Sequence, residues 1–83
     1  MTYDIIVVTG GAGFVGSSLS MALKREMPKA RVLAFDNLWR RGSELNVPRL
    51  EKAGVEFVRA DVRKPEDFAK LPSGRGLLIE CSA

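Results

Sequence analysis

The sequence contains no histidine and one cysteine, Cys81. An internal disulfide is therefore impossible, and a Cys/His zinc site is excluded. No apolar run approaches the roughly 20 residues that a membrane span needs. The apolar stretch near the start, Ile5–Val8, is too short for a signal-peptide core and follows Asp4. A cytoplasmic location is the expectation. Basic tracts are missing as well. The 13 basic and 10 acidic residues are interspersed, and the net charge is only +3. Arg40 and Arg41 are adjacent but have no aromatic ladder beside them, which reads as a solvated basic face rather than a nucleic-acid surface.

What is present is an ordinary globular mix, 46% apolar and 28% charged, which argues against disorder. Eighty-three residues suit one small domain or part of a larger one. Such a chain buries about 60% of its unfolded surface, so the core is modest.

Strand-like and helix-like segments alternate. YDIIVVT (3–9) is β-branched and apolar, the pattern of a buried strand. Val15, Leu19, Ala22 and Leu23 then recur with helical spacing, and Pro28 stops that helix. RVLAFD (31–36) has a continuous apolar centre, as in a strand buried on both faces. Residues 37–47 read as loop with one helical turn near Ser43. PRLEKA (48–53) reads as a short helix with proline early and Gly54 just past its end. VEFVRAD (55–61) is a third strand. Residues 65–71 read as a helix with acids in its first turn, and GLLIECS (76–82) as a fourth strand. Parallel strands need crossovers, so the alternation predicts a doubly wound α/β sheet.

Between the first strand and first helix lies TGGAGFVG (9–16). Glycine inside an element costs roughly 0.5–1 kcal/mol relative to alanine, so a bare backbone must be useful here. A helix N-terminus offers unpaired N–H groups and a positive dipole end, where phosphate is the natural ligand. Two registers fit: Gly11, Gly13, Gly16, and Gly10, Gly13, Gly16. In the second, Gly10 takes the tight turn, Gly13 lets a pyrophosphate approach, and Gly16 lets the helix pack closely. The alternative is a merely flexible turn. The matching acid, about 20 residues on, is Asp36. There a carboxylate accepts from ribose hydroxyls and repels a 2′-phosphate, which favours NAD over NADP. Asp36 could instead only cap the following turn, and Arg40 or Arg41 could serve a 2′-phosphate, leaving NADP as the alternative cofactor.

The motifs TGGAGFVG (9–16), DNL (36–38), DV (61–62) and ECSA (80–83) resemble those of the extended short-chain dehydrogenase/reductase family, the NAD-dependent epimerases and dehydratases of nucleotide sugars. The stretch 36–50 is similar to that of 2-epimerases of the CDP-tyvelose type. The resemblance implies a Rossmann-type doubly wound parallel sheet in the order 3-2-1-4. It implies a pyrophosphate lined by Gly10, Gly13 and Gly16 with the Phe14 and Val15 backbone, and Asn37 beside the adenosine. It also implies Asp61 at the adenine amino group with the Val62 backbone adjacent, and Cys81, Ser82 and Ala83 flanking the cofactor riboses. Where the family often has His-Leu-Ala-Ala, Glu80 and Cys81 stand at the first two positions. The residues also allow plainer readings: Asp61 as a cap, Cys81 as a buried inert thiol, and Trp39 and Phe14 as packing.

Family chemistry uses a Tyr-x-x-x-Lys pair, but the one tyrosine is Tyr3 and position 7 is valine. The chain thus reads as the N-terminal part, residues 1–83, of a dinucleotide-binding domain whose substrate domain is absent. The parent enzyme would epimerise a nucleotide sugar by transient oxidation and hydride return. The alternatives are a non-catalytic dinucleotide sensor and a reductase or dehydratase of the same family. The fourth strand, as an apolar sheet edge, predicts association of copies, with a homo-oligomer as the expected state.

Overall fold

The computed structural model describes residues 3–38, 42–61, 64, 66 and 76–81. Four strands form one parallel sheet: β1 (Ile5–Thr9), β2 (Arg31–Asp36), β3 (Glu56–Arg59) and β4 (Gly76–Glu80). Their order is β3-β2-β1-β4. The chain moves one way from β1 to β3, then returns to the other side of β1. The order expected from the resemblance is therefore the one observed. The ends are shorter than expected: Tyr3 precedes β1, and β3 and β4 stop at Arg59 and Glu80. The helix expected over 65–71 lies outside the described residues, as does Trp39.

Every residue of β1 is buried, which its unbroken Ile-Ile-Val-Val run requires of a central parallel strand. Its neighbours align as Val7↔Leu33 and Val7↔Leu78. Alternate residues feed two cores. Ile6, Val8, Val32 and Ala34 pack with Leu50 and Val55 on one face, while Ile5, Val7, Leu33 and Phe35 gather with Ala60 on the other. β4 is an edge strand whose Leu78 is 54% exposed. Across β2 and β3, Arg31 donates to both Glu56 oxygens at 2.8 and 2.6 Å. Those hydrogen bonds raise the Arg31 pKa and hold the Glu56 carboxyl below its usual value. The pair faces water, so it contributes little to stability.

Helix α1 (Phe14–Glu26) returns the chain to β2. Lys24 donates from Nζ to the carbonyls of Pro28 and Ala30, covering its C-terminal end. Its buried residues are Gly16, Ser17 and Ser20, so the helix lies on the sheet through small side chains. This corrects the sequence expectation for Val15, which is 65% exposed. Helical positions advance about 100° per residue, so a face centred on Gly16, Ser20 and Leu23 turns Val15 away. Phe14, expected as a packing residue, is 87% exposed for the same reason.

Ser20 Oγ is fully enclosed and has no hydrogen-bond partner among the described residues. An unpaired buried hydroxyl costs about 1–3 kcal/mol. Ser20→Ala should therefore be neutral or stabilising by about 1 kcal/mol in urea unfolding. A clear loss of stability would show that the hydroxyl has a partner.

A 3-10 turn (Ser43–Asn46) leads into α2 (Val47–Lys52), which begins one residue before the expected proline, so Pro48 takes its second position. Gly54, at φ 87°, ends it: Val55 N–H donates to Leu50 O and Gly54 N–H to Glu51 O, the Schellman arrangement. The accompanying apolar contact is Leu50 with Val55, both in the core, and it aims the chain into β3.

Candidate dinucleotide site at the carboxyl ends of the strands

β1 ends at a turn where a side chain is opposed at Gly10 by its backbone conformation and at Gly11 by its neighbours. Gly10 adopts φ 68°, the left-handed region that favours glycine. Gly11 N–H extends the ladder to Phe35 O at 3.0 Å, and Gly13 N–H closes the turn on Gly10 O at 3.1 Å. A Cβ on Gly11 would lie 2.5 Å from Ala34 Cβ, and one on Gly16 would lie 2.0 Å from Gly10 O. Both registers of the glycine pattern are thus in use. Gly11 seats the turn on β2, and Gly16 seats α1 on the turn rather than on the strands.

Behind this turn the N-terminus of α1 is open. Gly13 is its N-cap and supplies no side chain, and the first turn carries no acid. The first intrahelical bond is Ser17 N–H to Gly13 O at 2.9 Å. The N–H groups of Phe14, Val15 and Gly16 therefore precede the helical ladder, where an anion is the fitting acceptor. Among the described residues, a Cβ on Gly13 would meet only Gly10 O, at 3.3 Å. These residues fit a diphosphate.

Asp36, at the end of β2, reaches this turn directly. Its Oδ2 accepts from Ala12 N–H at 2.9 Å, and its Oδ1 accepts from Leu38 N–H at 2.8 Å. The capping reading of Asp36 is thus realised together with a contact to the glycine turn. Leu38 sits at φ 59°, uncommon for a side chain of its size, and the Asp36 carboxylate holds it there. A carboxylate offers about four acceptor sites, and among the described residues these two backbone donors use two of them.

Asn37 follows, half-buried. Ala60 N–H donates to Asp36 O at 3.1 Å, which brings Asp61, the next residue, to the same end of the sheet. On the far side of β1, Cys81 N–H donates to Thr9 O at 3.0 Å. The Cys81 side chain is half-buried against the core. Buried Thr9 donates its hydroxyl to Glu80 Oε1 at 2.8 Å. Arg40, Val62, Ser82 and Ala83 lie outside the described residues. Thr9 and Asn46, whose Nδ2 donates to Ala12 O at 2.7 Å, were not singled out by sequence reasoning. For Gly11, the alternative glycine register was the signal.

Residues 6–78 match the profile of the NAD-dependent epimerase/dehydratase family. The chain belongs to that family. Among its relatives, it is 40% identical over 68 residues to CDP-paratose 2-epimerase of Salmonella typhi, covering 80% of this chain and 19% of that protein. The crystal structure of Helicobacter pylori ADP-L-glycero-D-manno-heptose-6-epimerase superposes with a TM-score of 0.64 at 33% identity, over 81% of this chain and 22% of that one. An NAD-dependent NDP-hexosamine 5,6-dehydratase of tunicamycin biosynthesis shares the fold, with a TM-score of 0.62 at 22% identity over 96% of this chain and 23% of that one. This epimerase/dehydratase chain thus spans about one fifth of the length of these relatives. Its sheet is the Rossmann-like sheet of the family. No helix among the described residues is long and apolar enough to cross a membrane.

Proposed function

We propose that this chain is the NAD(H)-binding, N-terminal segment of a nucleotide-sugar epimerase or dehydratase. The observation that carries the reading is the Ala12 N–H···Asp36 bond, which sets the Asp36 carboxylate beside a helix N-terminus with no side-chain cap. The diphosphate would lie against Gly10, Gly13, Gly16 and the amides of Phe14 and Val15. Asp36 would take the adenosine ribose, with Asn37 and Arg40 nearby. Asp61 and Val62 would meet the adenine, and Cys81, Ser82 and Ala83 would flank the cofactor riboses. NAD supplies a hydride acceptor when bound. The chain's own task is to grip and orient it, since Tyr3 is its one tyrosine and no Tyr-x-x-x-Lys pair occurs. Relatives acting on nucleotide-linked sugars support that substrate class for the whole enzyme.

Titration of the protein with NAD and NADP, followed calorimetrically, tests this. NAD should bind at least about tenfold more tightly, because the Asp36 carboxylate repels a 2′-phosphate. Tighter NADP binding, or binding of neither, overturns the reading.

A further inference from the structure

We infer that Asn46, with Arg49 behind it, is a positioning residue for the dinucleotide turn. The inference rests on the dinucleotide reading above. Ala12 is held from both sides. Its N–H donates to Asp36 Oδ2 at 2.9 Å, and its carbonyl accepts from Asn46 Nδ2 at 2.7 Å. The second bond spans 34 residues of sequence and ties the 3-10 turn to the glycine turn.

Arg49 Nη1 donates to Asn46 Oδ1 at 2.9 Å. That contact decides which way the amide points. A guanidinium can only donate and a carbonyl can only accept, so Oδ1 must face Arg49 and Nδ2 must face Ala12. The reverse orientation would lose both bonds. Arg49 thus aims the amide, and the amide aims the peptide.

The peptide in question joins Ala12 to Gly13, whose own N–H closes on Gly10 O at 3.1 Å. Next along the chain come the open amides of Phe14, Val15 and Gly16. A peptide next to glycine rotates easily, because no Cβ opposes it on that side. Rotation of this one would swing the Ala12 carbonyl out of its bond, and a carbonyl oxygen facing the diphosphate repels it. Asn46 keeps that oxygen turned away. It acts by preorganisation, and touches neither the ligand nor the reacting atoms.

The test is the dissociation constant of NAD and of ADP-ribose for Asn46→Ala, Asn46→Asp and Arg49→Met, measured well below each variant's unfolding midpoint. Asn46→Ala should weaken both ligands about tenfold, the effect of one lost orienting hydrogen bond. Asn46→Asp should weaken them further, because a carboxylate repels the Ala12 carbonyl. Arg49→Met should fall between wild type and Asn46→Ala, since the amide remains but is no longer aimed. If Asn46→Ala fails to fold, exposed Arg49 still carries the test. Unchanged affinity in the folded variants, with only a lowered unfolding midpoint, shows a purely structural residue and overturns the inference. Failure of the wild type to bind either ligand instead overturns the dinucleotide reading itself.

Discussion

Gly16→Ala should unfold at markedly lower urea than wild type and, on the proposed function, fail to bind NAD. The new methyl would sit 2.0 Å from Gly10 O and 2.7 Å from Gly10 C. Both atoms are backbone, so no side-chain rotation relieves the clash. Either α1 lifts off the turn or the turn opens. Overpacking in a tight site typically costs about 1–3 kcal/mol, and a contact this short belongs at or above about 3 kcal/mol. Against total stabilities of about 5–15 kcal/mol, that is a large share. Gly13→Ala is the control. Among the described residues its methyl would approach only Gly10 O, at 3.3 Å, so stability should stay within about 1 kcal/mol of wild type. Equal destabilisation by the two substitutions would show that the Gly10–Gly16 contact is not what holds α1 in place.

Asp36→Ala should be nearly as damaging, by a different route. It removes the acceptor of two backbone donors, Ala12 N–H and Leu38 N–H. Ala12 is fully buried, so its amide is left unpaired away from water. An unsatisfied buried donor costs about 1–3 kcal/mol, and with the second bond lost as well the total should reach about 2–4 kcal/mol. Leu38 would also be free to leave its left-handed conformation. Asp36→Asn separates stability from recognition. It keeps the shape and one acceptor oxygen but removes the charge. On the proposed function, its NAD affinity should drop about tenfold while the ratio of NADP to NAD affinity rises, because nothing then repels a 2′-phosphate. Thermal unfolding and paired titrations read the two effects. A folded Asp36→Asn protein with an unchanged cofactor ratio would remove Asp36 from the ribose site.

Both predictions rest on residues visible in the sequence, but their partners were not. Asp36 stood out by its distance from the glycines and its place after an apolar run. That its carboxylate touches Ala12 depends on β1 and β2 being neighbours in register, Val8 beside Ala34 and Thr9 beside Phe35. Gly16 stood out as the third glycine. Its expected neighbour was a strand, whereas the atom it meets is the Gly10 carbonyl. Asn46 carried no local signal, because a polar residue before a short helix has many ordinary explanations. The phase of α1 differs from its apolar pattern for a related reason. Val15 and Leu19 outweigh Gly16 and Ser20 in a count of apolar residues, yet a helix crossing a glycine turn at close range needs the small ones inward.

Local chemistry was enough to set the strands and the described helices, and it is what motivates the proposed anionic ligand. β-branched runs make strands, proline and glycine punctuate them, and a glycine-rich turn before a helix invites an anion. Those effects act between residues close in the chain, so they can be read from its order. Which groups meet across the sheet was decided by tertiary packing alone. The Asp36–Ala12–Asn46 chain of hydrogen bonds joins residues 24 and 34 positions apart. Only strand pairing and the return of the 3-10 turn bring them within bonding distance.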